Sequence, residues 1–248
     1  MMRPRISLRN RYVYFPIAKA ANSTVKWMLY NLETHGRIND ESSKAFRNQN
    51  QKILVHDNLY GPLLTPWQIA NFQDIDMRLA TQEEFFKFSF VRNPFTRVLS
   101  AYLDRAQRKN TGLYKMIRDR ADRDDFEFKK MLSIILEVPD DEREIHARAQ
   151  VPQSGLTVFP EVKIGRFETL KEDFISIATK IYPKVDLTKD SSDIDQIMTS
   201  PTKTGAVELV QKYYDAEAIE MVLAAYETDF ANLGYSRHLE GSFDAHGR

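Results

Sequence analysis

The chain contains no cysteine. Disulfides and thiolate metal sites are therefore excluded, and a reducing compartment is allowed. It also has no excess of either charge: Lys plus Arg and Asp plus Glu both number 35, for a formal net charge of zero. That balance argues against a general nucleic-acid coat, whose footprint is usually basic, and leaves room for a local basic pocket. No window approaches the ~18 uncharged apolar residues of a membrane span. No apolar run of signal-peptide type follows Met1-Met2-Arg3-Pro4-Arg5. The expectation is a cytoplasmic protein without a membrane-spanning segment. Internal repeats and low-complexity tracts are also missing. With 248 residues, 42 % of them apolar, the chain suits one large α/β domain or two small ones. No linker stands out, so the expectation is a single domain over 1–248, with 1–11 and 236–248 as loose ends.

The most informative stretch is Tyr12 to Leu32. It opens as an aromatic, apolar run of strand type and closes with Val25, Met28, Leu29 and Leu32 at helical spacing. Between the two lies a short turn of small and hydroxyl residues, Lys19-Ala20-Ala21-Asn22-Ser23-Thr24. A strand feeding a tight turn into a helix start is an anion site, because the first helical N–H groups lack intrahelical partners and the macrodipole is positive there. Asn22, Ser23 and Thr24 suit an N-cap and can also hydrogen-bond a phosphate or sulfate. Ala20 and Ala21 let the backbone approach closely, and Lys19 adds a full charge. The same residues also suit an ordinary solvated lysine and helix cap. The turn is not a Walker A loop, since the Gly-x-x-x-x-Gly-Lys-Ser/Thr pattern is absent.

A second stretch repeats the theme. Phe86, Phe88 and Phe90 alternate with Lys87, Ser89 and Val91, a strand pattern. Arg92-Asn93-Pro94 follows, with Asn93 as N-cap and Pro94 as first helical residue. Beyond it, Phe95, Val98, Leu99, Tyr102 and Leu103 fall on one helix face and Arg97, Ser100 and Asp104 on another. Ligands of open α/β sheets gather beyond the carboxyl ends of the strands, which would bring Lys19 and Arg92 to one edge.

Elsewhere the reading is coarser. Residues 1–11 read as a basic, solvated lead-in and 33–51 as a loop. Lys52 to Asp57 reads as a short strand carrying His56, and Thr65-Pro66-Trp67-Gln68 opens a short helix to about Phe72. Residues 104–125 mix both charges densely and read as a solvated helical surface. Helices are expected around Phe128 to Leu136, from Glu168 to Ile181 and around Ile219 to Tyr226, and a strand over Val162 to Phe167. The polar stretch 183–205 is the longest expected loop. No His/Asp/Glu cluster of metal-ligand type stands out, so no metal is expected.

Several of these stretches together resemble the sulfotransferases that use 3′-phosphoadenosine 5′-phosphosulfate (PAPS), in particular their carbohydrate, chondroitin-type branch. Lys19-Ala-Ala-Asn-Ser-Thr-Val-Lys26 is similar to the family's strand–lysine–small residue–Ser/Thr–helix signature. Val91-Arg-Asn-Pro-Phe-Thr-Arg-Val-Leu-Ser-Ala-Tyr102 is similar to its second signature, Arg-Asp/Asn-Pro-Phe-x-Arg-x-x-Ser-Ala-Tyr. Ile164 to Asp173 and Tyr226 to Tyr235 look like later family blocks. The chain departs from the pattern in having Ala18 before the lysine, where the family usually has proline, and Asn22 where glycan members often have cysteine.

The resemblance implies an α/β fold with a mostly parallel central sheet flanked by helices, of P-loop-like nucleotide-binding architecture. It implies PAPS as donor, 3′-phosphoadenosine 5′-phosphate (PAP) as product, and a hydroxyl, foremost of a carbohydrate, as acceptor. By the same resemblance, Lys19 to Thr24 hold the 5′-phosphosulfate, and Arg92 and Ser100 hold the 3′-phosphate. Histidine suits the base that accepts the acceptor proton; His56 is the first candidate and His146, in His146-Ala-Arg-Ala-Gln150, the rival. A kinase-like phosphotransferase is the alternative enzyme reading, and a non-catalytic nucleotide-binding module is the alternative from another class.

Overall fold

The computed structural model describes residues 4–35, 68–69, 84–121, 126–187 and 205–239. Its centre is a five-stranded sheet built from β1 (Arg5–Ser7), β2 (Tyr12–Phe15), β3 (Gln68–Ile69), β4 (Phe86–Val91) and β5 (Lys163–Arg166), in the order β3-β1-β2-β4-β5. The strands β2, β4 and β5 run parallel, with Tyr14 opposite Phe88 and Phe90 opposite Gly165. β1 pairs antiparallel with both β2 and β3.

Parallel central strands are covered on both faces, so they carry near-continuous apolar runs. Tyr12-Val13-Tyr14-Phe15 is buried at all four positions. One face presents Tyr12, Tyr14, Phe88 and Phe90 to α1 (Asn22–His35) and, further along the chain, to the helix Leu170–Ile181. The Tyr14 and Phe88 rings stack with centroids 5.1 Å apart, worth about 1 kcal/mol beyond area burial. Val13 and Phe15 point to the other face, against Ile6, Phe85, Phe159 and Val162. Beyond the carboxyl end of β4 lies the main helical core. It is formed by α2 (Pro94–Ala101), a π-helical turn (Tyr102–Ala106), α3 (Gly112–Ala121) and α4 (Phe128–Glu137). The short α5 (Val151–Ser154) follows, then α6 (Leu170–Ile181), α7 (Val210–Tyr213), α8 (Ala216–Ala225) and α9 (Glu227–Leu233). Gly165 is required where β5 meets β4, since a Cβ there would stand 2.5 Å from a Phe90 ring carbon.

The expected α/β architecture, with a mostly parallel sheet flanked by helices, is therefore observed. Asn93 caps α2 by accepting from the Phe95 N–H at 2.9 Å, with Pro94 in the first turn, as its sequence predicts. Three local expectations are corrected. Arg5–Ser7 are not a solvated lead-in: the backbone of β2 offers a pairing edge, and Ile6 is buried on the Val13 and Phe15 face. Gln68–Ile69 are not helical, because β1 pairs them as a strand. Residues 33–35 are the last turn of α1 and not loop. The expected strand at 52–57, with His56, lies outside the described residues, as do 36–51 and 188–204.

Candidate active site

The strand β2 delivers the chain to its carboxyl edge at Phe15, and the turn that follows is strained. Lys19 has φ +66° and Ala21 φ +55°, both left-handed, whereas Ala20 between them is not. A left-handed conformation costs a residue with a Cβ roughly 1–2 kcal/mol. Such strain gathers at ligand sites. Alternating hands turns successive N–H groups toward one side, which makes an anion-binding concavity. The first helical bond is donated by Val25 to the Ala21 carbonyl at 2.9 Å. Ala21 thus occupies the cap position, and Asn22, Ser23 and Thr24 form the first turn instead of the cap. Their N–H groups belong to the positive end of a 14-residue helix. Ala20 is fully buried and Asn22 nearly so, while Ala21, Ser23 and Thr24 are half-buried.

Lys19 Nζ lies 3.0 Å from Asp104 Oδ2, with both side chains largely buried. Asp104 sits in the π-helical turn and also meets Arg105 Nε at 3.0 Å and Arg108 Nη2 at 2.8 Å. Burial depresses the Lys19 ammonium below its ordinary value, against the opposing pull of Asp104. For Asp104 burial works upward, but Lys19, Arg105 and Arg108 outweigh it and hold the carboxyl below its ordinary value. Burial wins for the lysine because it has one carboxylate partner; it loses for the carboxylate, which has three cations. π-turns are frequent at functional sites.

Arg92 leaves β4 at the same edge. It is 6 % exposed. Its Nε donates to Thr96 Oγ1 at 3.0 Å, its Nη1 reaches the Lys19 carbonyl at 3.4 Å, and its guanidinium stacks 4.2 Å from the Phe167 ring centroid. Burial brings its pKa down to about 10, so it remains a cation at neutral pH. Its main chain is clamped by Gln150: the Arg92 N–H donates to Gln150 Oε1 at 2.8 Å, and Gln150 Nε2 donates to the Arg92 carbonyl at 2.7 Å. Gln150 is in turn held by Asp229, whose carboxylate accepts from the N–H groups of Gln150 at 2.7 Å and Val151 at 2.9 Å and from Gln150 Nε2 at 3.2 Å. Glu168 accepts from the Asn93 N–H at 2.8 Å and from the Tyr235 hydroxyl at 3.0 Å.

Arg97, the residue after Thr96, is wholly buried. Its Nε donates to the Ala18 carbonyl at 3.0 Å, immediately before Lys19. Both Nη atoms are buried without a hydrogen-bond partner among the described residues. The Asp229 carboxylate feels the Arg97 charge through space. Ser100, on the next turn, is buried.

The structure thus brings together Lys19, Ala20, Ala21, Asn22, Ser23, Thr24 and Arg92 at one sheet edge, with Ser100 two turns along α2. Of the two candidate histidines, His146 is described and half-buried. Its Nδ1 lies 2.9 Å from both oxygens of Glu144. His56 lies outside the described residues. Sequence reasoning missed Phe167, Gln150, Glu168 and Asp229 as groups around Arg92, because each arrives from a distant segment. Asp104 carried a signal, its place on the Arg97 and Ser100 helix face. Among the described residues no group of three or more His, Asp and Glu is placed to hold a metal, and no helix is long and apolar enough to cross a membrane.

A parallel-sheet edge carrying a left-handed turn, a helix N-terminus and a buried arginine marks the candidate site of this α/β protein. The family follows from the sequence as a whole: a profile of the sulfotransferase family matches residues 4–236, and the chain belongs to that family of sulfuryl-transferring enzymes. Neither the curated proteins nor the solved structures contain a match to it.

Proposed function

We propose that the chain transfers the sulfuryl group of PAPS to a hydroxyl, foremost of a carbohydrate, with Lys19 to Thr24 at the 5′-phosphosulfate and Arg92 and Ser100 at the 3′-phosphate. One observation carries the reading: β2 and β4, parallel neighbours, end side by side, and the Arg92 guanidinium reaches the Lys19 carbonyl. The left-handed turn at Lys19 and Ala21 supports an anion there.

PAPS supplies the activated sulfuryl group. The protein's share is positioning and charge stabilisation, since a sulfuryl group in transfer, like a phosphoryl group, spreads charge over its equatorial oxygens. Lys19 neutralises charge on the leaving oxygen. The first-turn N–H groups of α1 and the Ser23 and Thr24 hydroxyls hold the phosphosulfate oxygens. Arg92 offers a fixed fork to a phosphate, pre-set by Thr96, Phe167 and the Gln150 clamp. The acceptor proton goes to a histidine, His56 or His146.

The test is calorimetric titration with PAP, against ATP with Mg²⁺. Micromolar binding of PAP is expected, lost in Arg92→Ala and weakened about 10–150-fold in Arg92→Lys, the range of one charge-assisted hydrogen-bond pair. Turnover should be abolished in Lys19→Ala. Binding of ATP but not PAP would replace this reading with the kinase-like one. PAP binding without sulfuryl transfer to any acceptor would leave a nucleotide-binding module.

A further inference from the structure

Asp104 joins three cations beside the left-handed turn. Its Oδ2 lies 3.0 Å from Lys19 Nζ and 3.0 Å from Arg105 Nε, and its Oδ1 lies 2.8 Å from Arg108 Nη2. The Lys19 side chain is 14 % exposed and that of Asp104 17 %, against 32 % for Arg105 and 63 % for Arg108. The Lys19–Asp104 pair is therefore the inner half of the cluster, and the arginines are its wetter, outer half. Water screens the outer contacts more than the inner one, so the carboxylate acts most strongly on the lysine.

The pair joins two segments that meet only in the fold. Lys19 sits in the turn after β2, and Asp104 lies in the π-helical turn that continues α2. A lysine carries its charge on a flexible stem, so a partner is needed to fix it. Among the described residues, Asp104 Oδ2 is the hydrogen-bond partner of Lys19 Nζ. An ammonium has three donors. One goes to Asp104 and the others remain for a ligand oxygen, so the pair need not break when an anion arrives.

The cluster also governs the charge of Lys19. Burial favours the neutral amine, and the like charges of Arg105 and Arg92 act in the same direction. Asp104 opposes all three. The charged groups that face Lys19 are thus Asp104 and Arg105 from the π-helical turn and Arg92 from the end of β4, while Arg108 reaches it through Asp104. Of these, Asp104 alone favours the ammonium.

We propose that Asp104 is a positioning residue for the reaction: its carboxylate anchors the Lys19 ammonium at the turn and remains its counter-ion when the donor binds. The inference rests on the sulfuryl-transfer reading above, in which Lys19 needs its proton to neutralise the leaving oxygen. Arg105 works against this hold, since it shares the same carboxylate oxygen and adds a like charge beside the lysine.

Two readouts test it. The first needs neither donor nor acceptor: competitive labelling of Lys19 with acetic anhydride over a pH series, read by mass spectrometry of its peptide. Only the free amine reacts, so the midpoint of the curve reports the charge on Lys19, whereas a change in access scales the curve and leaves the midpoint in place. In Asp104→Asn the midpoint should move to lower pH, and Asp104→Glu should restore most of the shift. In Arg105→Gln it should move to higher pH, because a competitor for Asp104 is gone; a loosened fold would not give opposite shifts. An unmoved midpoint in Asp104→Asn, or a shift of the same sign in both variants, overturns the inference. Where Asp104→Asn does not fold, Arg105→Gln decides, and a midpoint at or below the wild-type pH overturns it. The second readout is calorimetric titration with PAP over the same pH range. Affinity should fall as Lys19 loses its proton, and in Asp104→Asn that fall should begin at lower pH. Tighter PAP binding in Asp104→Asn at every pH would make the carboxylate a competitor of the donor and overturns the inference. A wild-type chain that fails to bind PAP overturns the sulfuryl-transfer reading itself, whatever the labelling midpoints.

Discussion

Asp229→Ala tests the support behind Arg92. Asp229 is fully buried and accepts hydrogen bonds from two main-chain N–H groups and one side-chain amide. Alanine keeps the helical backbone of α9 but leaves those donors facing an apolar gap, at about 1–3 kcal/mol for each that finds no water. The wholly buried Arg97, whose charge acts on Asp229 through space, also loses a favourable electrostatic neighbour. Against this, the variant is relieved of the carboxylate's own desolvation, which already pushes the Asp229 pKa up. The balance is a net loss on the order of 3–5 kcal/mol at neutral pH, a large part of a typical domain's stability. At about 2–4 °C per kcal/mol for a chain of this size, the melting temperature falls by roughly 6–20 °C. Urea unfolding at pH 7 gives the free energy directly, and the milder Gln150→Leu separates the two roles. That variant leaves the Arg92 N–H and carbonyl unpaired, so PAP binding should weaken even at temperatures where the fold is intact. A loss below about 1 kcal/mol in Asp229→Ala, with PAP binding unchanged in Gln150→Leu, would refute the clamp.

Three further outcomes follow from the same geometry. The Asp104 carboxyl has a depressed folded-state pKa, so its contribution is present above its unfolded value of about 3.9 and is lost as pH falls through the lower folded value; the fall in stability below about pH 4 should be shallower in Asp104→Asn, read by urea unfolding at several pH values. Ala21→Val places a β-branched residue at φ +55°, and a loss of at least about 1–2 kcal/mol in urea unfolding is expected, with weaker PAP binding. Gly165→Ala drives a methyl into the Phe90 ring and should cost about 1–3 kcal/mol, read as a lower melting temperature.

The local chemistry of the sequence determined the two strand–turn–helix units. Aromatic alternation over Phe86–Val91 and the Asn93-Pro94 cap fixed β4 and the start of α2, because period and capping act over a few residues. The same reach placed Lys19 and Arg92 at strand ends, and the family signatures around them carried the donor reading. Pairing partners lay beyond that reach. Arg5–Ser7 became β1 because β2 presented an open edge, which the charges of Arg3, Arg5, Arg9 and Arg11 concealed. Gln68–Ile69 became a strand against β1, although Thr65-Pro66 signals a helix start, since ladder hydrogen bonds to another segment outweigh a local cap.

The site divides in the same way. Lys19, Ser23, Thr24 and Arg92 were legible from spacing, but what holds them was not. Gln150 lies 58 residues from Arg92, and Asp229 lies 79 residues from Gln150. No sequence period joins such positions; only the packing of α5 and α9 against the end of β4 does. Asp104 reaches Lys19 across 85 residues by way of the π-helical turn, and Glu144 faces His146 because its loop folds over the start of α3. The sequence alone singled out the residues of the candidate site and the order in which they come. The tertiary structure decided which buried neighbours orient them, because hydrogen-bond partners and local dielectric are properties of what the chain packs against.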